Sequence, residues 1–494
     1  MKKIVSISIW MVVMTSCLND FLEVEPLSDI STEIYWQTEK DVRAALNAAY
    51  AHLQSAYATG FLNWCELRSD NFLGPPGGTI PMQNVSFNNL TSSMPYCNWN
   101  NWYTMISVAN YAIYFIPEIK NVMAEERQNH LLSEAYFLRA FAYFNLYRIW
   151  GDAPLITEPV LKKSDVYKPF KTEKSKIMEL INADLEQALL LVDNYQEEVF
   201  LYSAGALYAL CTDVAMWNHD YDKAIACSQQ LFDLMGAVTP NRYSIHDVDF
   251  SLVCADAQTT DNIWTLKWSY VSNGGNSNVM AYYNNAGPVP TRVIYEKWQS
   301  EEDRCEVRDE RRLASIDSSR ISVYTANHVN RIPQISRIWK WTPGVRAIPE
   351  DVREASIPLY RLADIILLRA EAFNQKGLYQ EAIDEMNRVR LRAGLTERTL
   401  FDYMDEETQA VSPGLIEDDI LQERQFELLG EGKRWFDLMR TGRLMAVMND
   451  HYDGYITTYG GTGFSRYTEE WQLYWPVSQD VLNENENLSQ TGNY

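Results

Sequence analysis

The stretch "ILQERQFELLGEGKRWFDLMR" sets Glu423, Glu427 and Glu431 four residues apart, with Lys433 and Arg434 beside them. Paired carboxylates can hydrolyse a glycosidic bond, but only from opposite sides of a cleft about 5–9 Å wide. Carboxylates stacked along one helix face flank no cleft. They read instead as partners for cations between helices, Arg361 or Arg139 among them, and Glu134 with Arg139 takes the same reading. The run "SEEDRCEVRDERR", residues 300–312, reads as a solvated mixed-charge segment. The six His are scattered, and no CxxC or Cys/His cluster has metal spacing, so no metal site, nucleophile triad or cofactor is expected and the chain reads as non-catalytic.

Binding chemistry has better candidates. A sugar presents an apolar C–H face and a rim of hydroxyls, so a flat ring with amides beside it makes a subsite. "YCNWNNW" supplies that mixture: Trp99 as a platform flanked by Asn98 and Asn101, or else a ring packing the start of a helix. Asp70 in "RSDNF" is placed to accept a hydroxyl or to cap a turn. Trp268, Tyr270, Tyr282 and Tyr283 are further candidate rings, and Trp339 and Trp341 share one face of a short strand, where core packing is equally expected. Amides and rings also suit a peptide backbone, so an oligopeptide is the alternative ligand.

The whole chain narrows the field. With 43 basic and 66 acidic residues the net charge is −23, which repels nucleic acid and anionic headgroups. Fifteen Trp and thirty Tyr are more amphipathic ring than a core needs, so some should face a ligand. Lys2 and Lys3 precede an apolar run, Ile4 to Met14, too short to span a bilayer but right for an export signal over residues 1–16. Met14-Thr15-Ser16-Cys17 looks like a bacterial lipobox, in which Cys17 becomes an acylated N-terminus that anchors the protein to a membrane; the plainer reading is an ordinary thiol. Six cysteines remain, Cys65, Cys97, Cys211, Cys227, Cys254 and Cys305. Cys211 and Cys227 lie eight residues either side of His219, the expected turn of a helical hairpin, and a disulfide or two buried thiols would both fit.

The elements that must carry these residues are mainly α-helical. "LLSEAYFLRAFAYFNLYRIWGDAP" is apolar nearly all round, so it should be a central helix ended by Gly151 and Pro154. "SAGALYALCTDVAMWNHDYDKAIACSQQLF" and "LADIILLRAEAFNQKGLYQEAIDEMNRVR" share a layout, an Ala-rich helix, a turn, then a helix opening with Tyr221 or Tyr379. These read as tetratricopeptide-like hairpins. The length suggests two lobes or an extended helical array. Helical scaffold is expected over about 31–60, 100–239 and 350–445, ligand-side loops over about 61–99, and an irregular insertion of loops and short strands over about 240–349.

Several stretches in order, "CLNDFLEVEP", "YWQTEKDVRAALNAAY", "ELRSDNF", "EAYFLRAFAYFNLYRIWGDAPLITEP", "IPLYRLADIILLRAEAFNQKG", "ERQFELLGEGKRWFDLMRTG" and "LSQTGNY", resemble the SusD/RagB family of nutrient-binding lipoproteins along residues 17–494. That resemblance implies a SusD-like fold, lipid-anchored in the outer membrane at the cell surface. It also implies capture of oligosaccharides, or in some members peptides, and partnership with a TonB-dependent transporter of the SusC type, over which the protein acts as a lid.

Overall fold

A computed structural model describes residues 35–494 except 75–79, 120–122, 194–198, 238–243, 246–248, 255, 258, 270, 272–273, 276–287, 317–320, 324–332, 336–339, 341–353 and 460–462. Cys17, Tyr270, Tyr282, Tyr283, Trp339 and Trp341 lie outside the described residues.

Four antiparallel helix pairs form the scaffold. They are α1 (Glu39–Phe61) with α2 (Asn100–Phe115), α3 (Glu125–Trp150) with α4 (Lys174–Leu191), α5 (Ala204–Trp217) with α6 (Tyr221–Ala237), and, after α7 (Arg292–Cys305), α8 (Leu362–Gln375) with α9 (Tyr379–Arg392). The motif-bearing α10 (Pro413–Glu427) packs on α8 and α9, followed by α11 (Arg434–Arg440) and α12 (Leu444–Tyr459). Local chemistry sets the boundaries. Thr38 caps α1 in a reciprocal capping box with Asp41, and the Ser203 hydroxyl accepts from Ala206 N at 3.2 Å to open α5. His219 takes a left-handed φ of 55° in the α5–α6 turn, and Gly377 one of 76° between α8 and α9.

The central helix is as expected: α3 buries Phe137, Phe141 and Phe144 on one side and Leu131, Leu138 and Leu146 on another, each side chain contributing about 1.5–3 kcal/mol. One continuous core runs through all four hairpins rather than two separate lobes. The described strands are short and paired antiparallel: β1 (Phe72–Leu73) with β3 (Val289–Pro290), β2 (Asn262–Leu266) with β6 (Ile357–Arg361), and β4 (Ile321–Val323) with β5 (Pro333–Ile335). No described helix is long and apolar enough to cross a membrane.

The carboxyl-terminal segment closes the core. Trp475 N donates to Ile149 O at 2.8 Å, Trp150 Nε1 to Pro476 O at 3.2 Å, and Ser478 N to Cys97 O at 3.3 Å. Gly151, at φ 75°, ends α3 where the Tyr474 ring leaves about 3.2 Å for a Cβ.

Three sequence expectations need correction. Arg139 pairs not with a glutamate of α10 but with Asp184 of α4, through Nε and Nη2 at 2.8 and 2.7 Å, while Glu134 takes Arg43 of α1 and the Tyr50 hydroxyl. Residues 300–312 are solvated only in part: seven are exposed, but Glu301, Glu302, Cys305, Asp309, Arg311 and Arg312 are buried, and Asp309 caps the short helix Glu310–Ser315 while binding the Arg311 guanidinium. Residues 61–73 do not form a surface loop either, because all but Asn63 and Leu73 are buried. Cys211 on α5 and Cys227 on α6 are both buried free thiols, not a disulfide.

Candidate functional site

Beyond α1 the chain makes a π-helical turn, Leu62–Glu66, which turns Trp64 inward so that its Nε1 donates to Tyr96 O at 2.8 Å. The buried run from Leu67 then reaches β1. There the two stretches expected to carry the ligand side, 61–99 and 240–349, meet. Phe72 pairs with Pro290 and Leu73 with Val289, Thr291 N donates to Asn71 O at 2.8 Å, and the Thr291 hydroxyl donates to Asp70 O at 2.6 Å. The same hydroxyl caps α7.

Asp70 holds this seam from below rather than lining it. Arg434 of α11 grips its carboxylate with Nε at 2.8 Å and Nη2 at 3.0 Å, and Gln425 Nε2 of α10 adds a bond at 3.1 Å. Lys297 of α7 lies at 3.4 Å. Burial opposes ionisation, yet Arg434 and Lys297 outweigh it and hold Asp70 well below the usual carboxylate range. Its charge is spent on neighbours, which excludes the free hydroxyl acceptor that the sequence allowed. Beside Lys297, between α7 and α10, a cleft of about 320 Å³ is walled by Val293, Glu296, Ser300, Glu301 and Gln422, with Glu301 already paired to Arg390 at 2.7 Å.

Glu66, a turn earlier, has a different balance. Burial pushes its carboxyl up to about 7, with the bonds from Asn71 Nδ2 at 3.0 Å and Gly432 N at 2.6 Å offsetting only part. A raised folded pKa means that the folded state binds the proton more tightly. Its stabilising effect is complete below about 4.5 and is lost as pH rises to about 7. Glu66→Gln should therefore narrow the fall in melting temperature between pH 5 and pH 8, on the scale of about 3 kcal/mol. Differential scanning calorimetry at both pH values checks it, and an unchanged gap would mean that Glu66 does not titrate there.

The α10–α11 motif is an ion-pair lattice. Arg361 bonds Glu431 through Nε at 2.7 Å, Glu427 at 2.9 Å, and Asp261. Arg311 bonds Glu423 at 2.5 Å and Glu427 at 3.2 Å, Arg390 reaches Glu423 at 3.3 Å, and Lys340 joins Glu431. Arg424 links Asp364 and Asp437 at 2.7 and 2.9 Å. No carboxylate of the motif stands opposite another across open space. Among the described residues no group of His, Cys, Asp or Glu is arranged to hold a metal ion.

The rings proposed from sequence fare differently. Trp99 is 3% exposed, packed edge-on against Trp150 and Tyr103 with centroids 5.9 and 5.7 Å away, so it packs the start of α2 and offers no stacking face. Trp268, also 3% exposed, is equally closed. Trp102 is buried, and the Tyr103 hydroxyl bonds Pro154 O at 2.7 Å. Asn98 is exposed, its Oδ1 taken by Asn100 N at 2.8 Å, and Asn101 faces His52 of α1 at 3.3 Å. Sequence reasoning overlooked Arg68, whose guanidinium lies 4.0 Å over Trp435 and donates to Gln472 O and Leu473 O. It also overlooked the exposed rings of Tyr167 and Phe170, for which the signal was a loop of lysines and aromatics, "LKKSDVYKPFK".

Comparison with known proteins gives a consistent result. A profile described as "SusD family" matches residues 324–494, and one described as "Starch-binding associating with outer membrane" matches residues 20–216. The chain is 31% identical over 501 aligned positions to SusD-like protein P38 of Formosa agariphila, covering 91% of this chain and 94% of that one. Among solved structures it resembles a SusD superfamily protein from Bacteroides vulgatus, with a TM-score of 0.72 and 20% identity, over 93% of this chain and all of that one. It also resembles a laminarin-binding SusD-like protein, with a TM-score of 0.71 and 19% identity, over 93% and 100% of the two chains.

Proposed function

Because the chain belongs to the SusD/RagB family, we infer that it is a non-catalytic binding protein that captures oligosaccharides at the cell surface and passes them to a SusC-type TonB-dependent transporter as its lid. The observation that carries this reading is the pairing at β1–β3, which ties the chain just before residues 74–99 to the chain just before α7, over a scaffold whose α10–α11 carboxylates are committed to ion pairs. A carbohydrate ligand is further supported by the starch-binding description of the amino-terminal profile and by the likeness to a laminarin-binding protein. The description of that profile as outer-membrane associating supports the location, with Cys17 as the acylated anchor.

With Trp99 and Trp268 closed, the rings assigned to stacking are Tyr282 and Tyr283, six or seven residues before β3 in sequence, with Tyr270 farther back and Asn98 as a peripheral amide. Tyr282→Ala with Tyr283→Ala should weaken glucan oligosaccharide binding by about tenfold or more, taking ring stacking as about 1–3 kcal/mol per ring. Trp99→Ala should lower thermal stability and leave affinity in the folded fraction unchanged. Titration calorimetry with starch and laminarin oligosaccharides, and with mixed oligopeptides, decides it. Peptide binding without glycan binding would overturn the carbohydrate assignment, and full affinity in the double variant would overturn the site.

A further inference from the structure

Residues 18–34, "LNDFLEVEPLSDISTEI", lead into α1 and lie outside the described residues. Their pattern is that of an amphipathic extended segment. Pro26 disfavours helix at Glu25, and alternation sets Leu22, Val24 and Pro26 on one side with Glu23 and Glu25 on the other. Phe21, Leu27 and Ile30 flank that run. The profile matching residues 20–216 begins inside this segment, so the segment belongs to the matched module rather than preceding it. Its apolar side calls for cover from the body.

The segment joins the body beside a surface that lacks cover. Trp36 is buried by stacking on Tyr111 and Phe115 of α2, with centroids 6.5 and 5.6 Å away. The Tyr111 hydroxyl in turn donates to Val160 O, in the hairpin that connects α3 to α4. That hairpin runs out along α2, where the Tyr103 hydroxyl donates to Pro154 O and Asn110 Nδ2 to Ile156 O at 3.0 Å. It returns against the carboxyl-terminal segment, where Asn487 Nδ2 donates to Lys168 O at 2.7 Å and Asn485 Nδ2 to Pro169 O at 2.8 Å. Both legs are pinned, yet Val166, Tyr167 and Phe170 between them are 66%, 61% and 68% exposed, a cluster of large apolar side chains.

Charge does not select the occupant of this hairpin. Lys168, Lys174 and Lys176 are met by Glu486, Glu470 and Glu179, and Lys171 donates to the Thr491 hydroxyl at 2.9 Å, so apolar contact must carry whatever docks there. From Tyr35 back to Leu22 is thirteen residues, a reach of up to about 45 Å. A segment already attached beside the hairpin meets it at a high effective concentration, without a second molecule. We propose that the apolar side of residues 21–30 covers Val166, Tyr167 and Phe170, strapping the amino-terminal segment onto the body. Only Leu18, Asn19 and Asp20 then separate Cys17 from the body, in place of the whole segment 18–34. The contact stands whether or not Cys17 is acylated.

The test digests the exported Cys17→Ala protein with a glutamate-specific protease, which cuts only chain released from the body, and follows cleavage after Glu23 and Glu25 by mass spectrometry. A synthetic peptide of residues 18–34 sets the rate for the released segment. With the hairpin intact, cleavage should be about tenfold or more slower than in the peptide, because proteolysis follows the population of the open form and one large apolar side chain buried is enough for that factor. Adding Tyr167→Ser with Phe170→Ser should restore the peptide's rate, while digestion within residues 35–494 stays unchanged and reports that the body is folded. Raising salt should leave the protection in place. Equal rates in protein and peptide overturn the proposal, as does protection that survives in the hairpin variant or disappears with salt. A dimer in sedimentation velocity that the hairpin variant abolishes would give the surface to a second copy and overturn it too. Acyl labelling of native Cys17 is read separately, so the anchor and the strap can each fail alone.

Discussion

Arg361→Met should destabilise the protein by about 3–5 kcal/mol, the cost of leaving a buried charge without its partner, against a typical total of about 5–15 kcal/mol. Arg361 is fully buried and neutralises three carboxylates on different elements: Asp261 before β2, Glu427 on α10 and Glu431 after it. Methionine fills the volume but leaves Lys340, Arg392 and Arg311 to balance all three. Burial alone would raise the Glu427 carboxyl, yet Arg392, Arg361 and Arg311 together hold it well below its ordinary 4.5. Such a group stabilises the fold above that value and ceases to as pH falls, so the gap between wild type and variant should shrink in acid. Urea unfolding at pH 7 and pH 4 measures both effects. Equal midpoints at pH 7 would show that the lattice is dispensable, and a gap that widens in acid would contradict the assigned charges.

Cys17→Ala should move the exported protein wholly from the membrane to the soluble fraction. Each buried methylene of an acyl chain is worth about 0.8 kcal/mol, so losing the chains removes tens of kcal/mol of anchoring that a surface contact cannot replace. Fractionation with a metabolic acyl probe reads it directly. Equal labelling of wild type and variant would exclude Cys17 as the acylated residue.

Residues whose partners lie nearby in sequence were legible. The turn at His219, the helices opening at Tyr221 and Tyr379, and the burial of α3 all follow from periodicity within thirty residues. The commitment of Glu427 and Glu431 to Arg361 was legible too, because like charges on one helix face need cations. What failed was facing. Trp99 sits among asparagines in sequence, but Trp150, some fifty positions away, closes it. Residues 300–312 look soluble by composition, yet Arg311 is buried because Glu423 and Glu427 wait for it more than a hundred residues later. Arg139 found Asp184 for a similar reason: several carboxylates were available, and only the packing of α3 against α4 chooses among them.

The closure of the core by the segment around Trp475 bears on the order in which the chain can mature. Arg68, Trp150 and Ile149 take backbone partners from residues 472–476, more than three hundred positions downstream. A chain synthesised amino terminus first has long since presented α1, α2 and α3 when those partners emerge. Until then the Arg68 guanidinium and the Trp150 indole lack these backbone acceptors, and α3 lacks its carboxyl-terminal cover. The helices made first are thus completed by residues made more than three hundred positions later, and the core closes from its carboxyl-terminal side.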